Sequence, residues 1–119
     1  MMESKAKKFL ALYLVPGSVM ADWAKTDPET KKAAEQKMQT EWRKWMGDHS
    51  KMITLTEAGG KTKRVTATGV IDARNDIHLY SIVEVESHEA AAKAFENHPH
   101  LQIPKSSIEV MEVRSIGEI

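Results

Sequence analysis

Cysteine is absent from this sequence, and neither sign of charge is in excess. Without a thiol the chain has no disulfide, no thiolate metal site and no cysteine nucleophile, and we expect a protein of the reducing cytoplasm. Seventeen Lys and Arg residues balance seventeen Asp and Glu residues. Binding to nucleic acid or to an anionic membrane surface needs concentrated positive charge, so the sequence predicts neither partner.

Long hydrophobic runs are also missing. The apolar run that begins at Phe9 stops at Pro16, so it is too short to span a bilayer and lacks the form of a signal peptide. The chain has 119 residues, which suffice for one well-packed domain but not for two. We therefore expect residues 1–119 to form a single domain.

The strongest local pattern is the segment from Phe9 to Val15, which is apolar at every position rather than at alternate ones. This pattern predicts a strand that is buried on both faces, ended by Pro16 and Gly17. A helix is predicted from Asp27, a suitable N-cap, to about Asp48. One arc of this helix carries its apolar residues and would pack on a core: Ala34, Met38, Trp42, Trp45, Met46 and His49.

The second half of the chain alternates strands and turns. Residues 52–56 form a weak strand pattern, and the β-branched stretch 64–71 predicts a strand that pairs with 77–86 across the turn 72–76. Ser87 is a suitable cap for a second helix, which must stop before Pro99. The stretch 108–114 predicts the last strand.

With 64–71 and 77–86 as the second and third strands, and the weak pattern at 52–56 left out, the predicted order is strand, helix, strand, strand, helix, strand. This order indicates an α+β, ferredoxin-like βαββαβ sandwich, in which right-handed crossovers place both helices on one face of a four-stranded antiparallel sheet. The other face would be open to water, although the first and third strands are apolar on both faces. An exposed apolar face of this kind is a binding surface, so we predict a homodimer in which two sheets face each other as a dimeric α+β barrel.

Several motifs resemble the YCII-related proteins of the dimeric α+β barrel superfamily. They are the first strand ending in Pro16-Gly17, the helix with Trp42 and Trp45-Met46, the strand Leu79-Tyr80-Ser81-Ile82, the stretch His98-Pro99-His100-Leu101, and the closing strand 108–113. The resemblance implies the βαββαβ fold, sheet-to-sheet pairing, and activity on small aromatic or chlorinated ring compounds. An Asp-Gly-Pro-Phe signature, which many members carry, and a first-strand histidine, which some members carry, are absent here.

His78 and Tyr80 are the first candidates for catalysis. They lie two residues apart in the third predicted strand, so both side chains face the same side of the sheet. An imidazole and a phenol in a cavity between the two sheets suffice for proton transfer to a small ring substrate. The alternative is that both are polar members of a dimer interface.

His98 and His100 flank Pro99 after the second helix. We assign His98 to the catalytic group and His100 to ligand binding, whereas two histidines without a visible third ligand do not predict a metal site.

Tyr13 is a further ligand-binding candidate, although its face is left open because both faces of its strand are apolar. Trp23 is either a lid over a pocket or a hydrophobic clasp for its own loop.

Two functions remain at this point. The first is a cofactor-independent enzyme that acts on a small aromatic-type substrate by His and Tyr acid–base chemistry. The second is a non-catalytic, small-molecule-binding or accessory dimer. RNA binding is rejected because the strand from His78 to Ile82 lacks the aromatic signature of an RNA-recognition module.

Overall fold

A computed structural model describes residues 6–118 of the chain. It contains six strands, three α-helices and two short 3-10 helices. In chain order these elements are β1 (Lys7–Leu14), α1 (Gly17–Ala24), α2 (Pro28–Asp48), β2 (Ile53–Ala58), β3 (Thr62–Thr66), β4 (Gly69–Ala73), β5 (Ile77–Val85), α3 (His88–Ala94), a 3-10 helix (Pro99–Gln102), β6 (Ser107–Glu112) and a second 3-10 helix (Ile116–Glu118).

The main sheet has four strands in the order β2-β5-β1-β6, and every neighbouring pair is antiparallel. The helices α2 and α3 both pack on the same face, because Trp45 of α2 and Phe95 at the end of α3 join one core cluster with Phe9 and Tyr13 of β1. This is the ferredoxin-like α+β sandwich, and the predicted fold class is therefore confirmed.

The two faces of the sheet differ sharply in burial. On the helix side, Phe9, Ala11 and Tyr13 of β1 are almost fully buried, as are Ser81 and Val83 of β5. The side chains that alternate with them point to the opposite side, which we call the open face because no element described here covers it. Its apolar members are Leu10, Leu12, Leu55, Ile82, Met111 and Val113, and its polar members include Glu57, His78, Tyr80, Glu84 and Glu109.

The start of α2 is the one that the sequence predicts. Asp27 is the N-cap, its carboxylate accepts a hydrogen bond from the amide of Thr30 at 2.9 Å, and Pro28 occupies the first turn. The predicted apolar arc is only partly confirmed. Trp45 is buried and Met38 and Trp42 are half-buried, but Ala34 is exposed because the first half of the helix extends past the core.

The helix α3 begins at a side-chain cap, as predicted. The Ser87 hydroxyl accepts a hydrogen bond from the amide of Ala90 at 3.0 Å. Replacement of Ser87 by alanine leaves that amide unpaired, so we expect the free energy of unfolding to fall by about 1 kcal/mol. Urea denaturation measures this loss. Ser87→Thr is the control that keeps a hydroxyl, and equal losses in both variants would contradict a capping role.

One element departs from the sequence prediction. The stretch 64–71 does not form a single strand beside β5, because it reverses direction near Thr68 and becomes the separate hairpin β3–β4. Gly69 has a φ of 140°, which only glycine adopts readily, and this permits the reversal. The place beside β5 belongs to β2, the weaker of the two predicted strands. We call residues 61–74, which extend away from the sheet, the arm.

Candidate functional site

The sheet separates five of the six residues singled out from the sequence into two groups. His78 and Tyr80 lie on the open face, where each is partly exposed. Tyr13, His98 and His100 are buried on the helix side, with at most 2% of each exposed. Trp23 lies in α1 and belongs to neither group. The structure of the single chain therefore does not bring these residues into one cavity, and the open question about Tyr13 is resolved toward the helices.

Tyr80 has a partner on the open face that the sequence analysis missed. Glu57 lies directly across from it on β2, and the Tyr80 hydroxyl donates a hydrogen bond to Glu57 Oε1. The hydrogen bond to this carboxylate raises the pKa of Tyr80, so the phenol keeps its proton at neutral pH. Glu57 was hidden in the sequence because only the register of β2 against β5 makes the two residues neighbours.

His78 completes a row on the same face. It precedes Tyr80 by two positions in β5, which places the two side chains on one side at a separation of about 7 Å. Within residues 6–118 its imidazole makes no hydrogen bond, so both ring nitrogens are free for an incoming group. The open face thus presents a carboxylate, a phenol and an imidazole along two adjacent strands.

Tyr13 belongs to a buried hydrogen-bond chain on the other side. Its hydroxyl lies 2.8 Å from Ser81 Oγ, and Ser81 Oγ lies 2.7 Å from Thr56 Oγ1. Burial raises the pKa of Tyr13 to about 12. This chain ties β1, β5 and β2 together beneath the helices, and it satisfies polar groups that would otherwise be unpaired in the core.

His98 lies in a box of aromatic rings. The centroid of its imidazole is 4.3 Å from that of Trp42 and 4.4 Å from that of Trp45, with both pairs steeply inclined. Its Nδ1 accepts a hydrogen bond from the amide of His100 at 3.0 Å, whereas Nε2 is buried without a hydrogen-bond partner. Burial lowers its pKa to about 3, so the ring is neutral at physiological pH.

His100 connects the 3-10 helix to the end of β1. Its Nε2 lies 3.0 Å from the carbonyl oxygen of Leu14, to which the ring donates a hydrogen bond. Burial is the main cause of a lowered pKa, so this imidazole is also neutral. The Nε2 atom of His100 is hydrogen-bonded to a backbone carbonyl, and the ring of His98 is enclosed by two indole rings. Both histidines therefore stabilise the core, and neither offers an exposed ring nitrogen for catalysis.

Two clefts open between the helices on this side. One, of ≈ 430 Å³, is lined by Trp42, Arg43 and His100 among others. The second, of ≈ 630 Å³, runs between α1 and α2 and includes Trp23 and Met20. Trp23 therefore lines a cleft, as a lid residue would, and the clefts share Met38 and Ile103 as common walls.

The described part of the chain offers neither a metal site nor a membrane-spanning helix. No group of three or more histidine, aspartate or glutamate side chains between residues 6 and 118 is arranged to hold a metal ion. Within the same range, no helix has both the length and the apolar character needed to cross a bilayer.

The fold and the two sites define a small α+β sandwich with one helix-covered and one open sheet face. A 5-chloro-2-hydroxyhydroquinone dehydrochlorinase from Burkholderia phenoliruptrix, solved in complex with 2,5-dihydroxybenzoquinone, is similar in structure. Its TM-score is 0.50 and its sequence is 17% identical, over 93% of this chain and 97% of that one. This likeness concerns the fold.

A second similar structure is a hydantoinase/carbamoylase family amidase from Burkholderia ambifaria. It has a TM-score of 0.39 and 12% identity, over 92% of this chain and 28% of that one. No protein-family model matches the sequence, and no curated protein does.

Proposed function

We propose that this chain is a YCII-like, homodimeric enzyme that transfers protons on a small ring compound without a cofactor, at the open face. The observation that carries the proposal is the Tyr80–Glu57 hydrogen bond on the same face as His78. Because a phenol has one hydrogen to donate, substrate binding would exchange the Tyr80–Glu57 hydrogen bond for one from Tyr80 to a substrate oxygen. The released carboxylate of Glu57, or the imidazole of His78, would then accept a substrate proton.

The apolar character of the open face supports the proposed homodimer. Leu55, Met111 and Val113 are between 37% and 50% exposed on a sheet face whose other apolar members are half-buried. A second copy of the same sheet removes this surface from water and turns the open face into an enclosed space. Glu57, His78 and Tyr80 would then lie inside it, where polar interactions are stronger because water is excluded.

The substrate class is proposed from the lining. Leu12, Ile82 and Leu55 offer an apolar floor for a flat ring, and Tyr80 offers a donor for a hydroxyl or carbonyl oxygen on that ring. The structurally similar dehydrochlorinase acts on a hydroxylated, chlorinated ring. Hydroxylated benzenes and benzoquinones are therefore the first compounds to test.

The two tyrosines of the chain provide a matched test, because they lie on opposite faces of one sheet. Tyr80→Phe is expected to reduce turnover of a hydroxylated ring compound by about 100-fold or more while leaving the dimer intact, since it removes the proton donor only. Substrate loss is followed by absorbance. Tyr13→Phe is expected to keep normal turnover and to lose only its Ser81 hydrogen bond.

The opposite pattern, with turnover lost in Tyr13→Phe and kept in Tyr80→Phe, would overturn the open-face assignment. Failure of every ring compound to react would favour the second candidate, a non-catalytic ligand-binding dimer. The observation that supports this second candidate is the pair of clefts beside Trp42 and Trp23 on the helix side. Chemical-shift changes at these tryptophans on addition of the same compounds would then identify the binding site.

A further inference from the structure

The arm is an unusual element for so small a domain. It forms its own two-stranded sheet, and the chain has a radius of gyration of 16.9 Å, whereas a compact chain of this length has about 13.5 Å. Its cross-strand pair Val65 and Val70 is 76% and 61% exposed. The arm therefore displays apolar side chains to water at a distance from the core.

The arm has little internal support. Its charged pair, Lys63 and Asp72, has an N–O distance of 2.6 Å, but both side chains are largely exposed, and such pairs contribute little to stability. An isolated two-stranded hairpin is at best marginally stable in water. Its exposed valines indicate a surface that packs against another molecule.

The second apolar surface of the chain is the open face. Within residues 6–118, eight large apolar side chains are exposed, and six of them lie on these two surfaces: Val65, Val70 and Ile71 on the arm, and Leu55, Met111 and Val113 on the open face. If the arm packed on the open face of its own chain, the apolar side chains of both surfaces would be buried in the single chain. They are instead exposed on both surfaces, so neither surface covers the other within one chain.

The charges of the two surfaces also complement each other. Residues 61–74 carry four cations, Lys61, Lys63, Arg64 and Arg74, against one anion, Asp72. Among the residues that the structure describes, the strands of the open face carry three carboxylates, Glu57, Glu84 and Glu109, against one cation, Lys8. Opposite potentials of this kind steer and orient an encounter between two surfaces.

We propose that the arm of each copy packs along the β6 edge of its partner's open face, beside the facing sheets, with Val65 and Val70 on the partner's Met111 and Val113 and the arm cations opposite the partner's carboxylates. This inference rests on the proposed homodimer. It adds that each active face is closed by a segment of the other chain, so that a single copy has an incomplete site. A two-fold axis relates the two arms, and both contacts form together.

Sedimentation of the full chain tests the arm directly. The double variant Val65→Ser, Val70→Ser is expected to raise the dimer dissociation constant at least tenfold, with circular dichroism unchanged because the arm lies outside the core. The matched control is Ile116→Ser. Ile116 is an apolar side chain that is 85% exposed and lies on neither of the two surfaces. It is expected to leave the dissociation constant unchanged.

The lack of native cysteine permits a second test. Val70→Cys and Met111→Cys are prepared separately, mixed and treated with a short bismaleimide. The proposal predicts a linked pair containing one chain of each variant, and no such product from mixing Val70→Cys with Ile116→Cys.

The outcomes separate the two proposals. A wild-type chain that sediments as a monomer would overturn both the homodimer and the arm contact. A wild-type dimer whose dissociation constant is unaffected by the serine substitutions, and which gives no product between positions 70 and 111, would overturn the arm contact alone. Turnover by Tyr80→Phe is measured separately, so failure of the arm contact and failure of the proposed chemistry are distinguishable.

Discussion

Replacement of Trp45 by alanine is expected to lower the free energy of unfolding by about 3–5 kcal/mol. Trp45 is 8% exposed and packs its indole against Phe95 at a centroid distance of 5.0 Å and against His49 at 4.2 Å. Its Nε1 also donates a hydrogen bond to the carbonyl oxygen of Ala94 at 3.2 Å. Alanine removes the ring that joins α2 to α3 and leaves a cavity.

Urea denaturation followed by circular dichroism measures the loss. Trp45→Phe keeps an aromatic ring but loses the hydrogen bond to Ala94, so its loss is expected to be smaller than that of alanine. Trp23→Ala is the control at a tryptophan outside the buried core, and only a small change is expected there. Similar losses at positions 23 and 45 would contradict the identification of Trp45 as the central core residue.

Lowering the pH is expected to destabilise the protein through His98, beginning at a higher pH than the range in which carboxyl groups titrate. Burial lowers the pKa of His98 from 6.5 to about 3 in the folded chain. Above pH 6.5 the ring is neutral in both states. As the pH falls below 6.5, the unfolded chain binds a proton that the folded chain does not, so stability decreases until about pH 3. His100, whose pKa is also lowered by burial, acts in the same direction.

His98→Asn is the informative variant. The asparagine side-chain oxygen is able to accept the hydrogen bond from the amide of His100, and it has no proton to gain in this range. We expect a lower stability at pH 7, because the aromatic box is less well filled. Between pH 6.5 and about 4.5, above the ordinary carboxyl range, the stability is expected to fall less steeply than in the wild type. An unchanged slope would show that His98 does not resist protonation in the folded state.

The sequence predicts the sandwich well because its strongest patterns are local. The run from Phe9 to Val15 and the cap at Asp27 each specify an element through neighbouring residues, and β1 and α2 form as expected. The arm was missed for the opposite reason. A β-branched stretch predicts a strand equally well whether it is one continuous strand or two paired short ones, and only Gly69 marked the reversal.

The site was less predictable than the fold. Periodicity correctly places His78 and Tyr80 on one face of a strand, since successive side chains alternate. It does not assign Tyr13, because a strand that is apolar on both sides has no polar face to orient it. Glu57 is separated from Tyr80 by the whole arm along the chain, so their hydrogen bond depends on a register that no local pattern contains.

The arm joins the domain at two points that lie side by side, and this affects how the arm can vary between related chains. The amide of Gly59 donates to the carbonyl oxygen of His78 at 2.8 Å, so β2 and β5 are already joined where the arm begins and ends. A tight turn in place of residues 61–74 would leave the sheet continuous. The arm is in this sense an insertion between two adjacent strands, and its length and composition are free to diverge between related chains without disturbing the core that carries them.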